Sequence, residues 1–576
     1  MENRRHSCSH VLATAVLKLH PKAKLGIGPA IENGFYYDFE FPKAIEEKDL
    51  EKISVEMKQI IKKKLAFLKK EATIEEAAKI FKDQPYKLEL IKELAKEGHK
   101  KVSLYQTGDF IDLCAGPHVK NTGEIGQFKL TSLAGAYWRG SEKNKMLTRI
   151  YGTCFQTAEE LEKYLWQIEE AKKRDHRKIG RELGLWTFSD YVGTGLPLFT
   201  QKGALVRRLI NEFIEELQSK QGIVQVWTPQ IAKAELFKIS GHYDKYQENM
   251  FSVKSNYSEE EFFLKPMNCP QHTQIYASEP RSYKDLPIRM ADFAMLYRDE
   301  KPGEISGLTR IRSFSQDDCH IFCREDQIME EMDKALDMTK KVMDTFGFSY
   351  QYRFSVRDPE HPEKYLGDDK TWEKAEQLCE KILKQRKVKY FLGVGEATFY
   401  APKLDLIARD SLGRDWQLST LQIDFFMPER FNLTYTDHQG QPAKVVMLHR
   451  AIAGSAERLM AILIEHFAGA FPVWLSPIQA IIVPITEKQN KYGQEVLEKI
   501  KQTGIRVELD ERGETASAKI RDAELQKIPY ILVVGDKEIK NKSVNVRVRG
   551  EKVLGELALE KFIKLIQEDI DKKRQV

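Results

Sequence analysis

The pattern of apolar residues changes three times along this chain of 576 residues, and the changes divide it into separately packed regions. A chain of this length holds roughly three or four domains at about 150 residues each. We predict a first domain over residues 1–156, a linker helix over 157–184, a large domain over 185–476 and a small domain over 477–576. Hydrophobic residues make up 42% of the chain and charged residues 31%, which supplies several cores and excludes a globally disordered protein.

Each region has its own expected fold. The first combines a helical start with Gly-rich strands and, at about 44–101, a charged stretch whose apolar residues recur at helical spacing, which predicts a helical insert. The lysines of this insert either face water or contact RNA, and the interleaved Glu and Asp favour water. Thr157 and Glu160 form a capping-box pattern before one long charged helix. Regular alternation of strands and helices in the last region predicts a small α/β domain, so the whole is an α+β multidomain protein.

Charge and cysteine content exclude several classes of protein. Lys and Arg number 91 against 86 Asp and Glu, and a net charge of +5 is too small to identify a nucleic-acid binder, which would have to segregate its charges locally. Seven cysteines, an odd number without repeated close pairing, indicate a reducing compartment, and we expect a cytoplasmic protein. The N-terminus does not resemble a secretory signal, and apolar runs stay below the length of about 18 residues that a membrane span needs.

Two short motifs in the first domain point to chemistry. His6 and His10 lie four residues apart in a stretch with helical spacing, so both imidazoles project from one face of a helix. Cys114 and His118, again four apart, lie in a turn-rich stretch that follows a strand-like segment. Three imidazoles and one thiolate can bind Zn2+, or can position and activate a water for hydrolysis. The residues alone leave both possibilities open.

These two pairs, together with NGFYYDF at 33–39, resemble the editing domain shared by bacterial threonyl-tRNA synthetases and the alanyl editing proteins. The resemblance implies a cleft that hydrolyses mischarged aminoacyl-tRNA through a bound water, without needing a metal. It assigns editing roles to His6, His10, Tyr37, Lys87, Asp112, Cys114 and His118.

Three segments of the large domain concentrate charge. The first runs from Arg298 to Asp318 and contains three arginines with Glu300 and Gln316. Arginine forks suit phosphate oxygens, and nearby carboxylates can hold Mg2+, an amino group or an adenine amine. The second is HRAIAGSAERLM at 449–460, and the third is the pair of strands at 400–403 and 416–422. Any one of them alone could be an ordinary exposed charge cluster.

Together the segments resemble the signature motifs of class II aminoacyl-tRNA synthetases, in detail those of the threonyl branch. That fold has an antiparallel-sheet catalytic core, and the helix that ends near Pro229 is similar to its dimer-forming element, so the resemblance implies a homodimer. The resemblance assigns catalysis to Arg298, Glu300, Arg310 and Arg458; ATP binding, with Mg2+, to Arg298, Glu300, Phe314, Gln417, Thr420 and Arg458; and threonine binding to Gln316, Asp318, Tyr400, Lys403 and Gln422.

A metal site is implied by the same family. Cys269, His320 and His449 are too far apart in sequence for spacing to group them. In threonyl enzymes these three bind one Zn2+ with an open position, which the amine and hydroxyl of threonine complete. Valine lacks the hydroxyl and is rejected. Serine lacks only a methyl group, a difference of about 1 to 3 kcal/mol, so a second, hydrolytic site is needed.

The last domain resembles the anticodon-binding domain of several class II synthetases. Glu538 and Arg547 match base-contacting positions, whereas Gly513 stands where the family usually has Asn. The small ubiquitin-like domain that usually precedes the editing domain is expected to be missing.

The resemblance implies a threonine-tRNA ligase that edits Ser-tRNA. Two rivals are an RNA-binding regulator that has lost catalysis, which Arg298, Glu300 and Arg458 argue against, and an editing hydrolase with appended domains.

Overall fold

The computed structural model describes residues 1–550 and 552–576, which divide into two compact units, Met1–Glu169 and Glu170–Val576. The helices of the first unit are α1 (Glu2–Leu19), α2 (Asp49–Lys62), α3 (Ile74–Ile80), α4 (Pro85–Lys96) and the greater part of α5 (Ala158–Lys173). Its strands are β1 (Lys24–Leu25), β2 (Ala30–Ile31), β3 (Gly34–Glu40), β4 (Phe67–Thr73), β5 (Lys101–Thr107), β6 (Phe110–Leu113), β7 (Gln127–Tyr137) and β8 (Met146–Phe155).

Two sheets organise the first unit. Five strands form one sheet, in the order β1-β3-β8-β7 with β2 also paired to β3, and β4-β5-β6 form the other. Helix α1 packs on the first sheet, where Val11 and Leu12 share a core with Phe35 and Phe39 of β3. This packing fixes the helix that carries His6 and His10.

The prediction of a wholly helical insert at 44–101 is wrong in part. The segment contains α2, α3 and α4, but it also contains β4, which pairs with β5. In β4 only Phe67 and Ala72 are buried, and the four residues between them are exposed. The strand therefore lacks the apolar alternation by which strands are recognised.

The second unit contains the remaining elements. Its helices are α6 (His176–Glu182), α7 (Gln201–Ser219), α8 (Ala234–Ile239), α9 (His242–Tyr246), α10 (Cys269–Ala277), α11 (Ile328–Phe346), α12 (Asp369–Gln385), α13 (Phe426–Arg430), α14 (Ala456–His466), α15 (Asn490–Lys501), α16 (Ala516–Leu525), α17 (Asp536–Asn541) and α18 (Leu559–Asp571). Its strands are β9 (Trp186–Thr187), β10 (Leu198–Phe199), β11 (Val224–Gln225), β12 (Ile231–Lys233), β13 (Ser252–Val253), β14 (Phe262–Leu264), β15 (Ile288–Asp292), β16 (Met295–Tyr297), β17 (Ser313–Ser315), β18 (Asp318–Cys323), β19 (Ser349–Val356), β20 (Tyr390–Val394), β21 (Lys403–Arg409), β22 (Asp415–Asp424), β23 (Thr434–Thr436), β24 (Pro442–Lys444), β25 (Val446–Ala451), β26 (Ala480–Pro484), β27 (Val507–Leu509), β28 (Tyr530–Val534), β29 (Ser543–Val548) and β30 (Lys552–Ala558).

An eight-stranded sheet forms the centre of this unit, in the order β11-β15-β18-β25-β22-β21-β19-β20. Its pairs are antiparallel except β11 with β15 and β19 with β20. Every residue of β18 and β25 is buried. In the register of these strands His320 faces His449, and Gln422 of β22 also pairs with His449. Residues far apart in sequence thereby meet at the middle of the sheet.

A five-stranded mixed sheet, in the order β27-β26-β28-β29-β30, forms the C-terminal part. Strand β26 runs parallel to β27 and β28, whereas β29 is antiparallel to its neighbours. Ile482, Leu532, Val546 and Phe562 belong to its core. The predicted combination of an antiparallel-sheet core with a small α/β domain is confirmed.

The predicted linker helix is two helices. Its capping box is confirmed, because the Glu160 N–H donates to Thr157 Oγ1 at 3.2 Å and the Thr157 N–H donates to a Glu160 carboxylate oxygen at 3.2 Å. One continuous helix is wrong, since α5 ends at Lys173 and α6 begins after Asp175. The Asp175 side chain accepts the Arg177 N–H at 2.8 Å and so starts the new helix. Of the helices in the described residues, none has the length and apolar character needed to cross a membrane.

Candidate active sites

A cavity of about 350 Å³ lies in the second unit, over the middle of the eight-stranded sheet. Nine of the residues predicted for catalysis or binding line it: Cys269, Arg298, Gln316, Asp318, His320, Tyr400, Thr420, Gln422 and His449. The other predicted residues of this region, Glu300, Arg310, Phe314, Lys403, Gln417 and Arg458, are not part of the lining. Two further lining residues were not predicted from the sequence: His242, which is buried, and Phe399, which is partly exposed.

Cys269, His320 and His449 converge in this cavity. Cys269 begins α10, and the two histidines face each other on β18 and β25. One donor atom from each of the three lies within 4.8 Å of the other two, and His320 Nε2 is 3.1 Å from His449 Nδ1. Burial raises the pKa of the Cys269 thiol and lowers the pKa of His320. A buried thiol beside two imidazoles is a donor set that suits a cation such as Zn2+, which displaces the thiol proton on binding.

Two further buried residues orient these histidines. His449 Nε2 lies 2.9 Å from a carboxylate oxygen of Asp424. Because a carboxylate accepts, Nε2 carries the proton and the lone pair of Nδ1 faces His320. His272, one turn after Cys269 on α10, lies 2.7 Å from His320 Nδ1 through its own Nδ1. Sequence reasoning missed both supports, although the spacing of Cys269 and His272 on one helix face could have indicated the second.

Arginines surround the part of the site predicted to bind ATP. The Arg298 guanidinium lies 5.0 Å from the centre of the Phe314 ring. Arg310 forms ion pairs of 2.8 Å with Glu300 and with Glu304. Burial, followed by the charge of Arg310, lowers the pKa of Arg458, whose Nε has no hydrogen-bond partner among the described residues. Two cations that oppose each other in this way favour a polyanion between them.

A buried carboxylate, Asp405, organises three residues that were predicted to touch substrates. Gln417 and Thr420 donate to one of its oxygens at 2.8 and 2.9 Å, and Lys403 Nζ lies 3.2 Å from the other. Arg353 also binds Asp405, at 2.9 Å. Neither Asp405 nor Arg353 was predicted from the sequence. Lys403 and Gln417 are therefore held by this network.

The residues predicted to bind threonine lie nearer the metal-ligand group. The Tyr400 hydroxyl donates to Gln422 at 2.7 Å, and its ring centre is 5.2 Å from that of His449. A carboxylate oxygen of Asp318 accepts the Asn268 N–H at 3.2 Å, and the other lies 3.6 Å from His320 Nε2. A small amino acid in the cavity would thus meet the carboxylate of Asp318, the phenol of Tyr400 and the amides of Gln316 and Gln422 beside the three candidate metal ligands.

A second cluster lies in the first unit, where α1 meets the segment after β6. Cys114 Sγ is 3.3 Å from His6 Nε2 and 3.3 Å from His118 Nε2, and donor atoms of these residues and His10 all lie within 4.8 Å of one another. Burial lowers the pKa of His6, lowers that of His10 well below its usual range, and lowers that of His118 to about 2. Burial also raises the pKa of Cys114 to about 11. The cluster is therefore neutral near pH 7.

The carboxylate of Asp112 contacts the two other residues predicted for editing, Tyr37 and Lys87, and one histidine of the cluster. The Tyr37 hydroxyl donates to it at 2.6 Å, Lys87 Nζ lies 2.5 Å away, and His10 Nε2 lies at 3.7 Å. All four side chains are buried. The structure thus brings together all seven residues predicted for editing.

Ser7 was missed, and it orients His118. The Ser7 hydroxyl donates to the Asn3 carbonyl at 2.7 Å and accepts the Val119 N–H at 3.0 Å. His118 Nδ1 lies 3.0 Å from the same oxygen and must donate to it. The lone pair of His118 Nε2 therefore points toward Cys114.

Asp175, His176 and Glu465 form a third group of donor atoms within 4.8 Å of one another. Both ring nitrogens of His176 are already used, because Nδ1 lies 2.6 Å from Glu465 and Nε2 accepts the Leu308 N–H at 3.0 Å. The group is consequently a hydrogen-bonded junction, with no imidazole lone pair left for a metal.

The two residues predicted to read the anticodon lie in the C-terminal sheet region. Glu538 is buried, and one of its carboxylate oxygens accepts the Gly535 N–H at 2.9 Å at the start of α17. Arg547 is half-buried on β29, opposite Ile531 and Val553. Gly513 is exposed, in the loop after β27. Glu538 thus has a local structural role in addition to any contact with RNA.

Three family models match parts of the chain. Residues 251–467 match the tRNA synthetase class II core domain (G, H, P, S and T), residues 479–569 an anticodon binding domain, and residues 102–151 the threonyl and alanyl tRNA synthetase second additional domain. The three matches fall on the central sheet, the C-terminal sheet and the first unit.

Curated relatives match over almost the whole chain. The threonine–tRNA ligase of Rubrobacter xylanophilus is 48% identical over 573 residues, which cover 99% of this chain and 89% of that protein. The threonine–tRNA ligase of Thermus thermophilus is 48% identical, with 97% of this chain and 87% of that protein covered. These identities extend through all the regions described above.

Solved structures show the same fold. A structure titled as the RNA binding domain of threonyl-tRNA synthetase from Cryptosporidium parvum aligns with a TM-score of 0.65 at 38% identity, covering 68% of this chain and 98% of that one. Prolyl-tRNA synthetase from the same organism aligns with a TM-score of 0.54 at 17% identity, covering 69% of this chain and 75% of that one, which is a likeness of fold alone.

Proposed function

The chain belongs to the threonine–tRNA ligase family, and from that premise we propose how its two clusters share the family's work. The family reaction activates threonine with ATP as an adenylate and transfers the threonyl group to threonine tRNA. The second additional domain fits hydrolytic editing of mischarged Ser-tRNA. We assign formation of the adenylate and of threonyl-tRNA to the cavity of the second unit, and hydrolytic editing to the His and Cys cluster of the first unit.

Cys269, His320 and His449 would hold one Zn2+. The proposal is supported by the thiol and imidazole donors, by their burial, and by Asp424, which turns the His449 lone pair toward the other ligands. When bound, such an ion would supply Lewis-acid ligation of the amine and hydroxyl of threonine, which valine could not match because it has no hydroxyl. Asp318, Tyr400 and Gln422 would orient the amino acid.

Adenylate formation would depend on the arginines. The threonine carboxylate attacks the α-phosphorus of ATP, a new P–O bond forms, and pyrophosphate leaves with the electrons of the broken bond. Arg298 would stabilise charge at the α-phosphate, and Arg310 and Arg458 would hold the other phosphates together with the Mg2+ that accompanies ATP. Glu300 would read the adenine amine while Phe314 stacks on the ring. The protein supplies position and charge, and Asp405 keeps Lys403, Gln417 and Thr420 in place.

Editing would use a water held among His6, His10, Cys114 and His118. His6, whose pKa burial lowers less far than those of His10 and His118, would accept a proton from this water as its oxygen attacks the ester carbonyl of Ser-tRNA, and His10 and His118 would help to hold the water. The ester C–O bond then breaks, and the ribose hydroxyl leaves with a proton. Asp112 keeps Tyr37 and Lys87 beside the cluster. In this proposal the residues of the cluster hold and activate the water themselves.

The function of the large cavity depends most on one observation: three metal-ligand side chains meet where Arg298, Gln316 and Asp318 also line the wall. The test is pyrophosphate exchange by zinc-loaded protein with threonine, serine and valine in turn. We expect exchange with threonine, weaker exchange with serine and almost none with valine. Equal exchange with valine would contradict the proposed selection by the metal.

We further propose a homodimer formed through the edge of the central sheet. The segment expected to be one helix ending near Pro229 is instead α7, which ends at Ser219, followed by the edge strand β11. Val224 in β11 and Trp227 just after it are exposed, Trp227 to 73%. Large apolar side chains in a row at a sheet edge are typical of an interface. The family element similar to this segment forms dimers, so the occupant is a second copy of the chain.

The remaining assignments concern RNA and location. We propose that Arg547 and Glu538 face anticodon bases, which the match of residues 479–569 to an anticodon binding domain supports. A cytoplasmic location is supported by the seven cysteines, all of which are free.

A further inference from the structure

The imidazole of His176 joins two parts of the synthetic site. His176 begins α6 and is buried. Its Nε2 accepts the N–H of Leu308, in the turn at 306–310, at 3.0 Å. On the opposite side of the ring, Nδ1 lies 2.6 Å from a carboxylate oxygen of Glu465 in α14, and the same oxygen accepts the His176 backbone N–H at 3.0 Å.

The hydrogen bonds fix the roles of both ring nitrogens. A backbone N–H only donates, so Nε2 must present a lone pair to Leu308. Burial would raise the pKa of Glu465, but the hydrogen bonds from His176 and the charge of Arg414 outweigh it and lower that pKa. Glu465 is therefore a charged acceptor, and Nδ1 donates to it. Arg414, 2.5 Å from the other oxygen of Glu465, fixes the carboxylate in turn.

The turn is shaped to receive this ring. Gly307 has φ +51, and a Cβ atom placed on it would lie 2.1 Å from His176 Nε2. Ser306 and Arg310 close the turn, since the Ser306 N–H donates to the Arg310 carbonyl at 3.0 Å and the Arg310 N–H donates back at 3.3 Å. Leu308 itself is fully buried in the main core. The position of the imidazole thus determines the position of the backbone from which Arg310 extends.

Glu465, the second hydrogen-bond partner of the His176 ring, lies on α14, the helix that also carries Arg458. Arg458 lies in the first turn of α14, and Glu465 lies two turns later on the same helix. A single side chain therefore connects the turn that carries Arg310 with the helix that carries Arg458. Arg310 and Arg458 are close enough for the charge of the first to lower the pKa of the second.

We propose that His176 is a positioning residue for ATP: it holds the turn at 306–310 against α14 so that Arg310 and Arg458 reach the same polyphosphate. This inference rests on the proposed phosphate-binding roles of the two arginines. His176 itself touches neither ATP nor tRNA in this proposal, and it acts through the backbone of Leu308.

Two substitutions separate the two hydrogen bonds of the ring. In His176→Gln the side-chain oxygen reaches as far as Nε2 and can accept from Leu308, while the side-chain bond to Glu465 is lost. In His176→Asn the side-chain nitrogen reaches as far as Nδ1 and can donate to Glu465, while the acceptor for Leu308 is lost. Each variant removes one hydrogen bond, so the two should lose similar thermal stability.

We expect His176→Asn to raise the KM for ATP in pyrophosphate exchange about tenfold and to speed hydrogen exchange at the Leu308 amide, with a smaller change in kcat. His176→Gln should restore the KM to within about twofold of the unsubstituted protein. Gly307→Ala, which displaces the turn from the other side, should behave like His176→Asn. Lys178→Ala, an exposed position on the same helix, is the matched control.

The inference is overturned if Asn and Gln raise the KM equally and in proportion to their loss of melting temperature, because His176 would then only stabilise the fold. It is also overturned if neither His176→Asn nor Gly307→Ala changes the KM. Arg310→Ala tests the premise separately. If Arg310→Ala leaves the KM for ATP unchanged, the phosphate role of Arg310 fails, whereas unchanged Leu308 exchange in His176→Asn refutes the link between the imidazole and the turn.

Discussion

His320 lies directly opposite His449 in the antiparallel pairing of β18 and β25, with Nε2 of the first 3.1 Å from Nδ1 of the second. Two imidazoles in a directly opposed pair keep the spacing that the sheet imposes on them. Cys269 approaches the pair from the start of α10. The ligand geometry is therefore set by strand register and by one helix end, and it does not depend on a flexible loop.

Cys269→Ala should abolish zinc binding at this site and lower threonine-dependent pyrophosphate exchange at least about a hundredfold, because two imidazoles alone cannot complete the site. Metal content by mass spectrometry and the exchange rate are the measurements. Cys379→Ala removes an equally buried thiol from α12 and should leave zinc content and exchange intact. Full zinc content in the Cys269 variant would refute the assignment.

The double variant His6→Ala, His10→Ala should lose about a hundredfold or more in hydrolysis of Ser-tRNA while it still charges threonine tRNA, because it removes two of the three imidazoles proposed to position and activate the water. Release of serine from pre-charged tRNA measures the first property, and threonine charging measures the second. His99→Ala replaces an exposed imidazole of the same unit and serves as the control. Undiminished hydrolysis in the double variant would rule out this cluster.

Lys87→Met should destabilise the first unit by about 3 to 5 kcal/mol, because it leaves the buried carboxylate of Asp112 without its cation. The free energy of unfolding of the first unit is measured by chemical denaturation of the full chain, with the opening of α1 followed by hydrogen exchange. Lys92→Met, at an exposed position on the same helix, should change it by less than about 0.5 kcal/mol. An equally small change in the free energy of unfolding in Lys87→Met would show that the ion pair with Asp112 does not stabilise the first unit.

The first unit should lose stability as the pH falls below 6.5. Burial lowers the pKa of His6 and His10, and lowers the pKa of His118 to about 2, so the unfolded chain binds protons that the folded chain does not. This stability is fully present above the unfolded pKa of about 6.5 and is lost toward the folded values, by at most about 1.4 kcal/mol per pH unit for each imidazole. His6 and His118 are partly exposed and contribute less. Unfolding measured from pH 6.5 to about pH 4 should be less pH-dependent in His118→Gln; an unchanged slope would contradict this account.

Trp227→Lys should shift the protein from dimer to monomer at micromolar concentration, because a charge replaces the most exposed large side chain at the edge near β11. Light scattering after size-exclusion chromatography measures the mass. Trp166→Lys, which changes an exposed tryptophan of α5, should remain a dimer. A dimeric Trp227 variant would place the interface elsewhere.

The sequence predicted local features well where the contacts are local. The four-residue spacing of His6 and His10 placed both on one face of α1, and Thr157 with Glu160 predicted a real capping box. The sequence did not predict β4, because the exposed lysines of this strand remove the apolar alternation by which strands are recognised. It also did not predict the break at Asp175, whose side chain starts a new helix inside what looks like one continuous helix. Such interruptions depend on tertiary packing, which local patterns do not encode.

Long-range groupings required the family resemblance or the structure. Cys269, His320 and His449 meet only because β18 and β25 pair, and spacing alone could not group them. Asp424, Asp405 and Ser7 contact site residues that are distant along the chain or across strands, so their motifs carried no signal. Residues that support a site were in general harder to predict than residues that form it.

The register between β18 and β25 also has a consequence for how the protein is made. His449 follows Cys269 by 180 residues in the chain, so a ribosome completes most of the polypeptide before the last proposed zinc ligand emerges. Until β25 takes its place in the sheet, Cys269 and His320 can offer a cation only part of its coordination sphere. At the proposed site, metal loading would therefore be a late event in biogenesis, and retention of zinc would report that the centre of the sheet has assembled in register.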